Sequence, residues 1–346
     1  MRKNIILLVS MLTFGMASVS GQQEFQFGNY THNPYIFNPA LGGLTDFTQI
    51  DLGYRNQHVS SEGNPVTMYL SGSTSFYFKN NKADAKVFNP DAKMMYAPPL
   101  NGVGQFKHVV GGKLVSDAIG PFQKTGLLAS YSVHLPLTST MNIGAGLGLG
   151  WNNIGINPSK VVVYTENDDV LQSFGSRWNQ NNLDAQFGLS FYTDRFTFGF
   201  SGTQLASNKL KFSNALNISK LTSHWLLYSS YKWNATDDIM VEPFAMMRMT
   251  KNTPVSADLG ANVHYKYVWL GVQYRTSRSF VASFGLNFLK NLYLSYAFEY
   301  SAKSTRISTA GTHEIQLGIY FGKSRKATKK QDEPRELEDV KIKVEE

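Results

Sequence analysis

The seven histidines are the first residues to ask about chemistry, and they are scattered. No H-E-x-x-H pair and no Cys/His spacing joins them into a zinc site. The acidic pair Asp168 and Asp169 in TENDDV lacks the spaced oxygen ligands and the glycine of a calcium loop, so a solvated loop accounts for it better. His134 and His264 stand on the polar faces of alternating segments, where a histidine beside a serine could activate a hydroxyl. Alternation puts Ser and His on such faces throughout, however, and no nucleophile elbow accompanies them. The net charge of +8 is dispersed except at the C-terminus, and no domain for base reading is visible. The residues therefore argue against an enzyme, a cofactor, a metal site and a nucleic-acid partner.

The elements that would position any site are more informative. Residues 1–21 have the three parts of a secretory signal peptide: Arg2 and Lys3, an apolar run from Ile5 to Met16, and small residues up to Gly21. Cleavage is expected near Gly21 or Gln22. With no cysteine, neither a disulfide nor a lipid-bearing Cys braces or anchors the chain. Downstream, MNIGAGLGLGW puts Met141, Ile143, Ala145, Leu147, Leu149 and Trp151 on one face, with Asn142 and four glycines on the other. The same period of two sets Ile50, Leu52 and Tyr54 against Gln49, Asp51 and Arg55. It likewise sets Ala257, Leu259, Ala261, Val263 and Tyr265 against Asp258, Gly260, Asn262 and His264.

Segments of about ten residues, the length a tilted membrane strand needs, fall near 47–57, 66–78, 106–117, 125–136, 140–152, 183–193, 195–205, 223–234, 238–249, 255–265, 267–276, 279–289, 291–301 and 312–322. The expected fold is all-β, a transmembrane antiparallel barrel of about fourteen strands over residues 47–322. The third and ninth strands carry the weakest pattern, and Pro243 interrupts the ninth. Rings such as Tyr54, Trp151, Tyr265, Tyr300 and Phe321 fall at strand ends, as interface girdles require. Short links such as LTST, TDR and Lys266 alternate with longer ones, which predicts periplasmic turns on one side and external loops on the other. An insertion at 79–105 breaks that rhythm on the periplasmic side.

Two segments lie outside the strands. Residues 22–46 contain NPYIFNPALGG, where two Asn-Pro steps forbid a regular helix or a central strand while Tyr35, Ile36 and Phe37 need a surface to cover them. This segment is expected in or across the periplasmic mouth as a plug of Asn33, Pro34, Tyr35, Phe37, Asn38 and Pro39. Tyr35 and Phe37 would pack on a wall lined by Gly144, Gly146 and Gly148, and Asn33 and Asn38 would make local turn bonds. The alternative is a cap on the first strand from outside. Residues 323–346 form a charged tail whose basic start carries Lys323, Arg325, Lys326, Lys329 and Lys330. Its end, with Val340, Ile342 and Val344 alternating, could add a strand to a periplasmic partner. A solvated extension is the plainer alternative.

FNPALGG followed by LGYRNQ at Leu52–Gln57 resembles the N-terminal signature of the PorP/SprF family of type IX secretion membrane proteins, which reads close to YNPAYAG and then YRNQW. GGKLVSDAIGPFQKTGLLASYSVHLPL from Gly111 to Leu137 is similar to that family's next block, as is LDAQFGLSFYTDRFTFGFSGTQLASNKL from Leu183 to Leu210. The resemblance extends over residues 23–322. The chain departs from the pattern in His58, in the 79–105 insertion and in the charged tail. The resemblance implies an integral outer-membrane component, without enzymatic activity, that supports export or surface attachment of secreted proteins and, in gliding bacteria, of adhesins. It implies as partners outer-membrane lipid and either other secretion-system subunits or a secreted surface protein, with a link to the periplasmic ring in some members. Both termini are expected in the periplasm. From a different class, an outer-membrane diffusion channel for small solutes would also use a polar, glycine-rich lumen.

Overall fold

A computed structural model describes residues 26–45, 47–77, 106–138, 140–161, 179–206, 209–210, 219–220, 222–251, 253–289, 291–302 and 310–322. Fourteen antiparallel strands form a closed ring: β1 (Thr48–Asn56), β2 (Val66–Phe76), β3 (Lys107–Ile119), β4 (Phe122–Pro136), β5 (Asn142–Ile156), β6 (Asn179–Tyr192), β7 (Phe196–Thr203), β8 (His224–Tyr231), β9 (Ile239–Thr250), β10 (Ser256–Tyr265), β11 (Val268–Arg275), β12 (Ser279–Leu289), β13 (Leu292–Ser301) and β14 (Thr312–Phe321). Each strand pairs with its neighbours in sequence, and β1 returns to β14 in register from Thr48 opposite Phe321 to Asn56 opposite His313. Closure leaves no open edge, as a bilayer without water to solvate free N–H and C=O groups requires.

The alternation read from the sequence is the alternation of the wall. Leu147, Leu149 and Leu183 are 66%, 73% and 72% exposed on the outside. Asp51, Arg55, His134, Asp258 and Asn262, on the opposite faces, are buried in the lumen. The wall is uneven in height. β4 and β5 each run 15 residues, while β7, β8 and β11 run 8. An eight-residue strand is only about 27 Å long at ~3.4 Å per residue, and shorter still along the membrane normal once tilted. Over the short β7 and β8 the outer surface is a slab of rings, in which Trp225 stacks on Phe200 at 5.6 Å and Phe187 meets both edge-on.

Two local expectations change. The strand expected over 223–234 is interrupted: pairing with β9 runs to Ser230 opposite Phe244 and resumes at Trp233 opposite Val241. Pro243 lies opposite the gap and has no N–H to give. On the other side of the strand the Lys232 amide continues the pairing toward β7 by donating to the carbonyl of Arg195 at 2.7 Å. Pro243 itself stays in β9, paired with Ala261 of β10. Link length also fails to separate the two ends. Opposite the end that holds Thr48 and Phe321, β3 and β4 are joined by Gly120 and Pro121 alone, and β11 and β12 by Thr276–Arg278. The first of these turns depends on glycine, because Gly120 has φ +56°.

The two faces differ in the cost of a charge. Leu147→Arg, mid-strand on the outer face, should destabilise the barrel by about 2–4 kcal/mol if it lies at the bilayer midplane, and Phe321→Arg, at a strand end, by about 0–1 kcal/mol. Guanidinium unfolding in lipid vesicles measures both, and equal costs would contradict the assigned depth.

Candidate functional site

Fourteen strands enclose more space than their own inward side chains fill, and residues 26–45 occupy it. Their backbone follows from the two Asn-Pro steps: Pro34–Ile36 and Pro39–Leu41 are single 3-10 turns with proline at the first position, where its missing N–H costs nothing. Asn38 closes the second turn, its side-chain oxygen accepting from the Ala40 amide at 2.8 Å. The same side chain donates to the carbonyls of Leu189 on β6 and Phe200 on β7, at 3.1 and 3.2 Å. One asparagine thus shapes the segment and fastens it to the wall. Asn33 does not cap its turn. It reaches across to donate to Ser71 Oγ of β2 at 2.8 Å.

Close approach depends on glycine, at one expected position and several others. A Cβ on Gly188 would lie 2.0 Å from Asn38 Oδ1, one on Gly199 2.8 Å from Leu41, and one on Gly146 within 3.0 Å of Pro39 and Ala40. Tyr35 lies against Gly111 of β3, with its hydroxyl 2.7 Å from Ser130 Oγ. Gly144 faces Ser190 and His134, and the space above Gly148 is taken by Leu128. Of the three glycines expected to line the contact only Gly146 does so, and it meets Pro39 rather than a ring. Phe37 packs instead among aromatics, 5.5 Å from Tyr228 and 6.0 Å from Tyr30, beside a buried cluster of Leu41, Leu226, Phe244 and Met246.

Main-chain groups of the segment are matched to charges on the wall. Lys113 Nζ donates to the Ile36 carbonyl at 2.6 Å and to Gln186 Oε1 at 2.8 Å, and Lys107 Nζ to the Thr45 carbonyl at 3.3 Å. His32 lies stacked on Trp269 with ring centroids 4.0 Å apart, and its carbonyl accepts from Gln49 Nε2 at 3.0 Å. The densest site holds Phe27–Asn29. There three guanidiniums, Arg55, Arg248 and Arg275, face three carboxylates, Asp258, Glu299 and Glu314. Arg55 bridges Glu299 and Glu314 at 2.7 and 3.1 Å, and Arg275 bridges Glu299 and Asp258 at 2.9 and 3.3 Å. Glu314 also accepts the amides of Gly28 and Asn29 at 2.7 and 3.0 Å, while Arg275 donates to the Phe27 carbonyl at 2.6 Å. A Cβ on Gly28 would lie 3.2 Å from Val281 and 3.3 Å from Ala297, a tight fit in which those neighbours would have to give by a few tenths of an ångström.

The remaining sequence candidates are accounted for by structure. His134 Nδ1 lies 2.9 Å from the Tyr192 hydroxyl and its Nε2 3.4 Å from Ser132 Oγ, fully buried in the wall. His264 faces Glu242 at 3.4 Å. Asp168 and Asp169, the signal peptide, the whole of the 79–105 insertion and the tail from Lys323 to Glu346 lie outside the described residues. The charge cluster and Lys113 were not foreseen, although inward positions on alternating strands already marked Arg55 and Asp258 as luminal. A further small space lies against β3–β6, lined by Lys113, Lys124, Asn152, Asp184, Gln186 and Gln204 among others.

Fit at the glycine wall predicts a graded response. Gly188→Ala should overpack Asn38 and cost about 1–3 kcal/mol. Gly112→Ala, whose added carbon would come no closer than 3.5 Å to its nearest neighbour, should be near neutral. Limited proteolysis of residues 26–45 in purified protein reads the difference, and equal protection of the two variants would refute the contact.

Comparison with known proteins gives one family and several distant barrels. The family model described as type IX secretion system membrane protein PorP/SprF matches residues 19–319. No curated protein matches the chain. Among solved structures, the Pseudomonas putida toluene transporter TodX is similar at 12% identity, covering 85% of this chain and 95% of its own, with a TM-score of 0.44. The Acinetobacter baumannii outer membrane protein Omp33 is similar at 11% identity over 80% and 98%, with a TM-score of 0.41. The Ralstonia pickettii toluene transporter TbuX is similar at 10% identity over 82% and 90%, with a TM-score of 0.43.

Proposed function

Because this chain belongs to the PorP/SprF family of type IX secretion system membrane proteins, we propose that it serves that system as a non-catalytic outer-membrane barrel whose lumen is plugged by residues 26–45. Its role in this reading is to support export or surface attachment of secreted proteins, adhesins among them in gliding bacteria. The observation that carries the reading is the fastening of the segment. Ser71, Lys113, Ser130, Leu189, Phe200, Asn262, Arg275 and Glu314, on eight of the fourteen strands, each bond to it. A pore kept for free diffusion has no use for such a filling, whereas a docking platform in a membrane needs a sealed one.

The barrel's termini face the periplasm in this reading, and the tail is a tether. Lys323, Arg325, Lys326, Lys329 and Lys330 meet anionic head groups or an acidic partner surface, and Val340, Ile342 and Val344 add a strand to a periplasmic subunit. The plug residues Asn33, Pro34, Tyr35, Phe37, Asn38 and Pro39 supply the turns and bonds that keep the lumen shut.

A diffusion channel for small solutes is the rival function, and planar-bilayer conductance separates the two. The wild-type protein should stay closed, and a chain lacking residues 22–45 should open steps of nanosiemens size if it folds, as its heat-modifiable gel migration will report. In the native bacterium, loss of the protein should release surface-attached secreted proteins into the medium. Steady wild-type conductance together with unchanged surface proteins would replace this reading by the channel.

A further inference from the structure

Residues 26–45 lie in the lumen as a ligand lies in a binding site. None of the strand pairings among the described residues includes a member of the segment, so the ring closes without it. Its own hydrogen bonds are those of local turns, such as the Ile36 amide to the Asn33 carbonyl and Leu41 to Asn38, and the wall supplies the rest of its fastening. Much of that fastening goes to main chain. Arg275, Gln49, Lys113, Ser201 and Lys107 donate to the carbonyls of Phe27, His32, Ile36, Phe37 and Thr45, and Glu314 accepts from the amides of Gly28 and Asn29. Between Gln26 and Thr45 the sequence has no Asp, Glu, Lys or Arg. Charges on the wall therefore meet neutral peptide dipoles, and a charged side chain in the segment would enter the lumen without a partner set out for it.

Two features add a preference for particular side chains. Tyr30 and Leu41 enter a socket of Leu226, Tyr228, Phe244 and Met246, with Tyr30 edge-on to Phe244 at 5.6 Å and Phe37 packed beside it. The Tyr30 hydroxyl is buried without a hydrogen-bond partner among the described residues, so the socket selects a ring and not its oxygen. Asn38 is selected differently. Its Nδ2 donates to the carbonyls of Leu189 and Phe200, where an aspartate would set negative oxygen against oxygen. We propose that the lumen is a peptide-binding site filled in cis, which also takes in trans an uncharged Asn-Pro turn segment bearing an aromatic ring from another polypeptide. The proposal rests on the reading of residues 26–45 as a plug and makes that plug an exchangeable ligand. A tethered ligand has an effective concentration of about millimolar, so a free segment enters where the tethered one is weakened or the free one is abundant.

Exchange is tested on the full-length protein in detergent, with a synthetic peptide of residues 26–45 that carries a diazirine photo-leucine at Leu41. The chains compared are wild type, Asn38→Asp and Phe37→Ala, the last two with the tethered segment loosened. With micromolar peptide, both variants should cross-link about tenfold more than wild type, whose tethered segment is in excess. The links should map to β7 and β8 around Gly199 and Leu226, which lie against Leu41. Unlabelled wild-type and Tyr30→Phe peptides should compete within about twofold of each other, and the Asn38→Asp peptide about tenfold more weakly, because it buries an unmatched charge. No cross-link in either variant, links confined to outward-facing residues, or equal competition by the Asn38→Asp peptide overturns the proposal. Loss of heat-modifiable migration in both variants also overturns it, since the ring would then depend on the segment. The cross-link reads lumen occupancy alone, so its failure leaves the secretion reading to be judged by surface retention, and unchanged surface retention leaves the binding site standing.

Discussion

A bilayer offers no water to an open N–H or C=O, and the closed ring of strands is the answer to that single constraint. Once β1 must meet β14 along Thr48–Asn56, the strands are committed to a circumference of fourteen. Their side chains alternate between lipid and lumen with no third choice. The outer face becomes apolar because lipid touches it. The inner face becomes polar because the bilayer does not reach it, and the resulting interior is wider than its own side chains can close.

That surplus width is where the structure gains its specificity. Charged groups facing a lumen shielded from bulk water are expensive unless paired, and pairing alone recovers the cost only when the remaining donors and acceptors are also satisfied. Arg55, Arg248 and Arg275 answer Asp258, Glu299 and Glu314. The spare capacity of Glu314 and Arg275 goes to the backbone of Phe27–Asn29. The segment thus completes a charge cluster that the wall leaves incomplete, and the wall supplies bonds that a short turn-rich peptide, too small for a core of its own, needs in order to have one conformation. Glycine contributes by absence. At Gly146, Gly188 and Gly199 the lack of a Cβ lets the Asn38–Leu41 turn lie directly on the strands.

Uneven strand length gives the molecule two sides. The fifteen-residue β4 and β5 extend well past what a membrane needs, whereas the eight-residue β7 and β8 fall near or below it. A short hydrophobic wall is met by local thinning of the bilayer or by rings at the interface. The Phe187, Phe200 and Trp225 slab stands on that side.

The sequence by itself determined the strands and their faces, because a period of two is a local property that lipid on one side and a polar lumen on the other both enforce. Leu147 and Asn142, Leu259 and Asp258, could be assigned from their neighbours alone. The need of the Asn-Pro segment for a covering surface was legible for the same reason, since Tyr35 and Phe37 carry their apolar area wherever they go. Only the tertiary structure decided which surface. Gly28 and Glu314 are 286 residues apart, and alternation says that Glu314 points inward but not how far along the lumen it lies or what else arrives there. Height along the barrel is set by the accumulated register of all fourteen strands, and small offsets such as the register shift between Asn287 and Leu289 are fixed by pairing partners that a local pattern does not contain. The ring closes first on paper as parity. Its charges meet, and the segment finds its direction, only when every register is summed around the circle.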